Sequence, residues 1–273
     1  MYFQPLTLSE AVRDAQNNGV QVLAGGTDFY PSHGDVLPDF PILDISRVPE
    51  ISGIERTETG WRIGAMTSWT DVIKADLPPA FDGLKAAARE VGSLQIQNLG
   101  TVAGNLCNAS PAADGVPPLL TLDAEIEIIG LRGVRKMPLK NFLKGPRSTD
   151  LSSGEIVSAI HIPAVDGVVS RFSKLGSRKY LVISIAMVAV LLRVENGAIA
   201  EARVAVGACS PVATRLTGLE ADLFGARDIS GIVKSQHLST LSPIDDVRGS
   251  SDYRLDVVVP LIERALQAAL ETA

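Results

Sequence analysis

Hydrophobic residues recur in short or alternating runs through the first part of the chain, as they do in β-strands. This pattern predicts strands at residues 20–24, 40–45, 61–65, 124–129, 134–139 and 156–162. Apolar positions at helical spacing predict helices at residues 7–18, 69–75 and 81–91. We expect a domain that mixes helices with sheets, in which strands and helices do not alternate regularly.

A short polar stretch at residues 163–167 is the predicted domain boundary. The β-rich segments after it lie at residues 169–175, 185–194 and 200–208. The Glu195-Asn196-Gly197 turn joins the last two, because Asn-Gly favours a tight hairpin. Helices are predicted at 212–224 and 251–270, where Pro260 either kinks the second helix or delays its start to about Val259. The second domain is therefore expected to be a three-stranded antiparallel sheet packed by helices.

Composition and charge narrow the classes of protein to which the chain could belong. The 273 residues are 46% hydrophobic, and the net charge of −6 disfavours nucleic acid as a partner. The longest apolar run, residues 181–192, contains Ser184 and is shorter than the roughly 20 residues of a membrane span. The N-terminus lacks the basic and apolar regions of a secretory signal. We expect a cytoplasmic protein without a membrane span.

Metal sites and nucleophilic catalysis find little support in the sequence. Cys107 and Cys209 are far apart, which excludes an iron–sulfur cluster held by this chain alone and a disulfide framework. The three histidines have no metal-ligand spacing. Ser110 does not lie in a G-x-S-x-G motif. We therefore predict no metal ligand and no catalytic residue, and Cys107 is interpreted as a small packing residue.

Small and short polar residues are concentrated in residues 92–123, around which the candidate chemistry is organised. A shorter segment of the same kind, Ala24-Gly25-Gly26-Thr27-Asp28, follows a predicted strand. Glycine lets the backbone approach a ligand closely, and successive free N–H groups can hold a phosphate. Two such loops indicate a dinucleotide, which the short polar side chains beside both loops favour, and the alternative is that they are tight turns between strands. No G-x-G-x-x-G or G-x-x-x-x-G-K-S/T motif is present, so a Rossmann site and a P-loop are excluded.

Lys174, Arg178 and Lys179 form a basic cluster just after the predicted boundary. Two interpretations are open. The cluster is either a solvated edge strand whose charges discourage aggregation, or it directs one cation into a cleft between the domains. Such a cation could stabilise negative charge on a reduced cofactor or on phosphates.

Several segments, in order along the chain, carry a resemblance to a known family. They are AGGTDFYP at 24–31, ILDISRVPEI at 42–51, RIGAMTSWTDV at 62–72, and GSLQIQNLGTVAGNLCNASPAADGVPPLLTLDAEIEI at 92–128. The C-terminal half adds FSKLGSRKYLVISIAMVAVLL at 172–192 and VRGSSDYRLDVVVPLIERAL at 247–266. Together they resemble the FAD-binding medium subunit of the molybdenum hydroxylases, the family of xanthine dehydrogenase and carbon monoxide dehydrogenase. The chain lacks an inserted cysteine cluster, so it is similar to members without an extra iron–sulfur centre.

The resemblance implies an α+β architecture. A vanillyl-alcohol-oxidase-type (PCMH) FAD-binding domain would occupy residues 1–163, with subdomains at about 1–52 and 53–163. A C-terminal α+β domain like that of the carbon monoxide dehydrogenase flavoprotein would occupy residues 164–273 and cover the flavin.

The resemblance also implies residues that contact the cofactor. The first loop would wrap the pyrophosphate through Val22, Leu23, Ala24, Gly25, Gly26, Thr27, Asp28 and Phe29. The second segment would hold it from the other side through Thr101, Val102, Ala103, Gly104, Asn105 and Ser110. Asp114 would contact the ribose or adenine end, or anchor the loop. Val157 would pack near the flavin or adenine ring, and Lys174 would reach the cofactor from the second domain.

Two positions depart from the family pattern. Ala103 stands where many members have glycine, and a methyl group there implies a modest adjustment of the loop. Gln97 stands where arginine is common, which leaves a nearby charge contact in doubt.

The function implied is that of an FAD-binding, electron-transfer subunit of a multi-subunit molybdenum hydroxylase. Its expected partners are a small 2Fe-2S subunit and a large molybdopterin-binding subunit, in a heterotrimer or a dimer of heterotrimers. Two alternatives remain open from the sequence: an autonomous FAD-dependent oxidoreductase on the same fold, and a non-catalytic scaffold that has lost FAD. The intact Thr101, Gly104, Asn105 and Asp114 argue against the scaffold.

Overall fold

The computed structural model describes residues 1–34, 36 and 38–273. Its first unit is a small parallel sheet in the order β1-β3-β2. The strands are β1 (Tyr2–Phe3), β2 (Gln21–Leu23) and β3 (Ile42–Asp44), with α1 (Leu8–Asp14) and α2 (Phe29–His33) between them. Thr7 caps α1 by accepting a hydrogen bond from the Glu10 N–H group. The glycine-rich loop leaves the end of β2 and leads into α2, as the strand predicted at 20–24 requires.

The second unit is a five-stranded antiparallel sheet in the order β4-β5-β10-β6-β7. Its strands are β4 (Ile54–Thr57), β5 (Gly60–Gly64), β6 (Glu125–Gly130), β7 (Gly133–Pro138) and β10 (Ile156–Pro163). A two-stranded hairpin of β8 (Leu143–Gly145) and β9 (Ser148–Thr149) precedes β10. β10 is buried along most of its length and forms the centre of this sheet.

Helices occupy the long connection between β5 and β6. They are α3 (Trp69–Lys74), α4 (Asp82–Glu90), α5 (Leu94–Leu99), α6 (Val102–Asn108) and α7 (Val116–Thr121), and α8 (Leu139–Phe142) follows β7. Short 3₁₀ helices lie at Pro49–Ile51, Pro79–Phe81 and Ser235–Leu238. The segment predicted as an extended glycine-rich loop is therefore largely helical. Ser93 and Thr101 explain the difference, because their side chains accept hydrogen bonds from the N–H groups of Ile96 and Gly104 and cap α5 and α6.

The second domain contains a four-stranded antiparallel sheet in the order β11-β12-β13-β14. Its strands are β11 (Val169–Leu175), β12 (Ala186–Glu195), β13 (Ala198–Gly207) and β14 (Thr214–Arg215). The three predicted strands are present, and β14 adds a fourth. The predicted hairpin turn is also present, with Asn196 and Gly197 at φ values of 52° and 73°.

The helices of the second domain differ in part from the prediction. The helix predicted at 212–224 is α9 (Thr217–Leu223), because Thr214 and Arg215 pair with β13 instead. The last helix, α10 (Ser251–Leu270), begins at the Ser250 cap, so Pro260 lies inside it and does not delay its start. Both helices pack on the sheet to form a second core. No helix in the described part of the chain has the length and apolar character of a membrane span.

The two domains are joined where β11 packs on α4. The buried Ser170 hydroxyl accepts a hydrogen bond from the Gly83 N–H group at 2.8 Å and donates to the Ala80 carbonyl at 2.8 Å. These contacts hold the second domain against the helical connection that also carries α5 and α6. The position of the glycine-rich helices therefore depends on both domains.

Candidate cofactor site

A cleft of about 510 Å³ lies where the first sheet, the α5–α6 segment and the start of β10 meet. Both glycine-rich segments line it. Of the predicted contact residues, those on its wall are Val22, Ala24, Gly25, Gly26, Thr27, Asp28, Phe29, Thr101, Ala103, Gly104, Asn105 and Val157. Residues more than 70 positions apart in the sequence thus form one concave surface.

The two glycine-rich segments pack directly against each other. A Cβ atom on Gly25 would lie 1.8 Å from the Leu99 carbonyl oxygen, and one on Gly100 would lie 3.2 Å from Thr27 Oγ1. Side chains at either position would push the segments apart. Glycine is required here for the close approach of two backbones.

The first loop presents a row of free hydrogen-bond donors. Within the described residues, the backbone N–H groups of Gly25, Gly26, Thr27 and Asp28 donate to no protein acceptor. Gly26 has a φ of 72°, in the left-handed region that occurs where successive backbone N–H groups form a concavity. A concavity of this kind binds anionic oxygens such as those of a phosphate. The loop therefore has the donor set that a pyrophosphate requires.

Asn105 supplies a second sign of a missing ligand. Its Oδ1 atom is buried and accepts no hydrogen bond. Buried polar atoms are nearly always paired, because an unpaired one loses its hydration without compensation. Asn105 lies on α6 and lines the same cleft, so a hydroxyl or ring N–H group of a ligand could satisfy this oxygen. The donors of the first loop and this acceptor together fit a dinucleotide such as FAD.

Other predicted contact residues lie away from the cleft wall. Leu23 and Val102 are buried in the core and hold β2 and α6 in place. The Ser110 hydroxyl accepts a hydrogen bond from the Ala112 N–H group at 3.3 Å and shapes the turn after α6. These three residues support the segments that form the site.

Asp114 and Lys174 form a buried ion pair between the domains. Lys174 Nζ donates to Asp114 Oδ2 at 2.7 Å, and Ser184 Oγ donates to Asp114 Oδ1 at 2.6 Å. The side chains of Lys174 and Asp114 are only 7% and 10% exposed. Burial raises the pKa of Asp114 even though Lys174 and the hydrogen bonds act in the opposite direction. Of the two roles predicted for Asp114, this contact corresponds to anchoring the loop, and Lys174 is directed at Asp114.

The basic cluster after the boundary separates into different roles. Lys174 is the cation that points between the domains, whereas Arg178 and Lys179 are exposed. Arg178 Nε donates to the Tyr180 carbonyl at 2.9 Å and so shapes its own loop. Gln97 is buried and donates through Nε2 to the Arg89 carbonyl at 3.0 Å, which ties α5 to the end of α4.

Several residues on the cleft wall were not predicted as contact residues from the sequence. They include Trp69, Leu151, Ile156, Glu155 and Arg147. Arg147 lies in the turn between β8 and β9, outside both glycine-rich segments in the sequence, and no motif marks it. Cys107 is half-buried, and burial raises the pKa of its thiol to about 12, which fits the packing role predicted for it.

Residues 1–165 match the family described as the FAD binding domain in molybdopterin dehydrogenase, and residues 171–269 match the carbon monoxide dehydrogenase flavoprotein C-terminal domain. The chain belongs to this FAD-binding family of molybdopterin dehydrogenases. The predicted family, its α+β fold and FAD as its cofactor are confirmed. The family places the chain among oxidoreductase subunits.

Relatives of this molybdopterin dehydrogenase family cover nearly the whole chain. The glyceraldehyde dehydrogenase medium chain of Sulfolobus acidocaldarius is 31% identical, over 97% of this chain and 96% of its own. The xanthine dehydrogenase FAD-binding subunit of Escherichia coli is 32% identical, over 100% of this chain and 96% of its own. The solved carbon monoxide dehydrogenase of Hydrogenophaga pseudoflava is 29% identical with a TM-score of 0.92, over 98% of this chain and 96% of that chain.

Proposed function

We propose that this chain is the FAD-binding electron-transfer subunit of a multi-subunit molybdenum hydroxylase. It would take electrons from a 2Fe-2S partner subunit and pass them to an external acceptor. The observation that carries the proposal is the cleft between the two glycine-rich segments. Residues Gly25 to Asp28, whose four N–H groups donate to no acceptor among the described residues, line the same cleft as Asn105, whose buried Oδ1 accepts no hydrogen bond.

FAD, when bound, supplies the redox chemistry, and the protein binds and orients it. The N–H groups of Gly25 to Asp28 would hold the pyrophosphate oxygens. Thr101 and Gly104 form the facing wall, where the Thr101 hydroxyl already accepts the Gly104 N–H group at 3.0 Å. Asn105 would accept a hydrogen bond from a hydroxyl or ring N–H group, and Val157 would give an apolar contact to a ring.

The titratable groups on the cleft wall support an electron-transfer role. Glu155 Oε2 accepts from Arg135 Nη2 at 2.8 Å, and this hydrogen bond lowers the pKa of Glu155. Asp28 is paired with Arg147, and His33 Nδ1 lies 2.7 Å from the Phe29 carbonyl oxygen. The two carboxylates are each held by an arginine and are poorly placed to exchange protons with an organic substrate. An autonomous oxidoreductase would need a free proton-exchanging group beside the flavin ring.

The partners proposed are a small 2Fe-2S subunit and a large molybdopterin-binding subunit, in a heterotrimer or a dimer of heterotrimers. Co-expression of this chain with the subunits encoded beside it, followed by size-exclusion chromatography and metal analysis, tests the assembly. We expect one complex that contains flavin, iron and molybdenum, in which substrate reduces the flavin only when the 2Fe-2S subunit is present. A chain that runs alone and oxidises an organic substrate without molybdenum would contradict the proposal.

A further inference from the structure

Arg147 bridges the mouth of the cofactor cleft. Its Nη1 atom donates to Asp28 Oδ2 at 2.6 Å, and both residues line the cleft. Asp28 ends the row of four free N–H groups in the first loop. The guanidinium is thus held beside the donors that we assign to the pyrophosphate.

The backbone at Arg147 has a conformation that suits glycine better than arginine. Arg147 follows Pro146 in the turn between β8 and β9 and has a φ of 58°. Turns of this kind favour glycine or asparagine at the second central position. The Arg147 N–H group donates to the Ala109 carbonyl at 2.9 Å, and Ala109 ends α6 with a φ of 47°. An arginine in this strained position indicates that its side chain has a use there.

The charge balance of the cleft points to that use. The lysine, arginine, aspartate and glutamate side chains on the described wall are Asp28, Arg147 and Glu155. Glu155 is neutralised by Arg135, which lies outside the wall. Arg147 is therefore the arginine on the described wall that can balance the negative charge of Asp28 and that of an anionic ligand. A carboxylate beside a pyrophosphate would repel it if no cation were present.

Some N–H donors of the Arg147 guanidinium have no acceptor among the described residues. Arginine carries five N–H donors in a planar fork, and the hydrogen bond to Asp28 uses Nη1. Nε and Nη2 of Arg147 donate to no acceptor within the residues that the structure describes. Its side chain is 60% exposed, so these donors can reach a ligand at the mouth of the cleft.

We infer that Arg147 binds the pyrophosphate of FAD through its free N–H donors, and that Asp28 is a positioning residue that holds the guanidinium at the mouth. This inference rests on the proposed FAD site. It adds a cation from the β8–β9 hairpin to a site otherwise built from the two glycine-rich segments. Charge-assisted hydrogen bonds to phosphate are about twice as strong as neutral ones, so loss of this residue should measurably weaken FAD binding.

Titration of the flavin-depleted chain with FAD and with ADP, followed by calorimetry, tests the inference. Arg147→Met should weaken binding of both ligands about tenfold to a hundredfold, as expected for a lost hydrogen bond to a charged group. Arg147→Lys should restore part of the affinity. The difference between wild type and Arg147→Met should shrink at high salt, because screening weakens an exposed ionic contact.

Two further variants separate ligand binding from a structural role. Arg147→Gly relieves the strained φ, so it should keep or raise the melting temperature without ligand while it lowers the affinity for FAD and ADP. Asp28→Asn should raise the affinity in the Arg147→Met background, because there it removes an unneutralised carboxylate, and should lower it in wild type, because there it releases the guanidinium that Asp28 positions. FAD and ADP affinities within twofold of wild type in Arg147→Met would overturn this inference alone. A wild-type chain that binds no FAD would overturn the proposed site as well.

Discussion

Lys174 Nζ lies 2.7 Å from Asp114 Oδ2, and this buried pair ties the second domain to the segment that follows α6. A buried pair gains little over apolar packing, but removal of one partner leaves the other charge unpaired in a dry environment. The pair therefore sets the relative position of the two domains more than it adds to stability. Loss of the ion pair should alter the cofactor site, because Asp114 lies on the segment that follows α6.

Lys174→Met should lower the free energy of unfolding by about 3–5 kcal/mol near neutral pH, the usual cost of breaking a buried pair. Denaturant unfolding measures this change. Lys179→Met is the matched control, since Lys179 is exposed on the loop that follows β11 and should change stability by less than about 0.5 kcal/mol. Equal effects of the two substitutions would show that the ion pair is unimportant.

The effect of Lys174→Met should also depend on pH. Burial already raises the pKa of Asp114, so its contribution to stability is full below its ordinary pKa and is lost as pH rises through the raised value. Without Lys174 that pKa rises further. The destabilisation by Lys174→Met should therefore be larger near pH 8 than near pH 5. Stability curves of wild type and variant that stay parallel across this range would contradict the account.

Gly25→Ala should abolish or strongly reduce FAD binding. The added methyl group would lie 1.8 Å from the Leu99 carbonyl oxygen, so the two glycine-rich segments would have to separate. Gly218→Ala is the control, because a Cβ atom there meets no atom within 4 Å and the residue lies in α9, where alanine favours the helix. Flavin fluorescence during titration measures both. Tight FAD binding by Gly25→Ala would show that the contact between the segments does not shape the site.

The sequence predicts the elements that depend on local patterns. In β6 the buried Ile126 and Ile128 alternate with less buried residues, so its periodicity is visible along the chain. β1 and β14 have only two residues each, too few to show a period, and they form by pairing with β3 and β13. The helices α5 and α6 were missed because glycine and asparagine are weak helix formers, and the Ser93 and Thr101 caps outweigh that tendency.

The candidate site is likewise predictable only where local patterns in the sequence mark it. The glycine-rich segments can be recognised from their composition. Most of the residues inferred from the family resemblance lie on the cleft wall. The contact of Gly25 with Leu99 and the bridge from Arg147 to Asp28 join distant parts of the chain. Lys174 was expected at the cofactor because its charge suits that role. Its partner Asp114 could be recognised only once the two domains were seen in contact.

Asn105→Ala should weaken FAD binding by about 0.5–1.5 kcal/mol, the net contribution of a hydrogen bond between neutral groups. The same substitution should not destabilise the flavin-depleted chain, because it removes a buried oxygen that has no protein partner. Calorimetric titration and thermal unfolding without flavin separate the two effects. A large loss of stability without flavin, or unchanged FAD affinity, would contradict the role assigned to Asn105.

Both cysteines should react slowly with thiol reagents in the native protein near pH 8. Burial raises the pKa of Cys107 to about 12 and that of Cys209 to about 11, so almost no thiolate is present. The rate of the reaction is measured from the coloured product that the thiol reagent releases. Unfolding in denaturant should expose both thiols to the reagent. Cys107→Ala should retain FAD, because the residue packs in the wall of the cleft. Rapid alkylation of Cys107 in the native chain would instead indicate an activated thiol.

The identity and amount of cofactor in the purified chain test the central claim most directly. A visible absorption spectrum, followed by chromatography of the released cofactor, should show FAD in amounts approaching that of the chain. Gly104→Val should remove it, because the new side chain would stand in the space assigned to the pyrophosphate. A colourless wild-type chain that takes up no FAD on titration, or a Gly104→Val variant that retains FAD tightly, would contradict the site described for this protein.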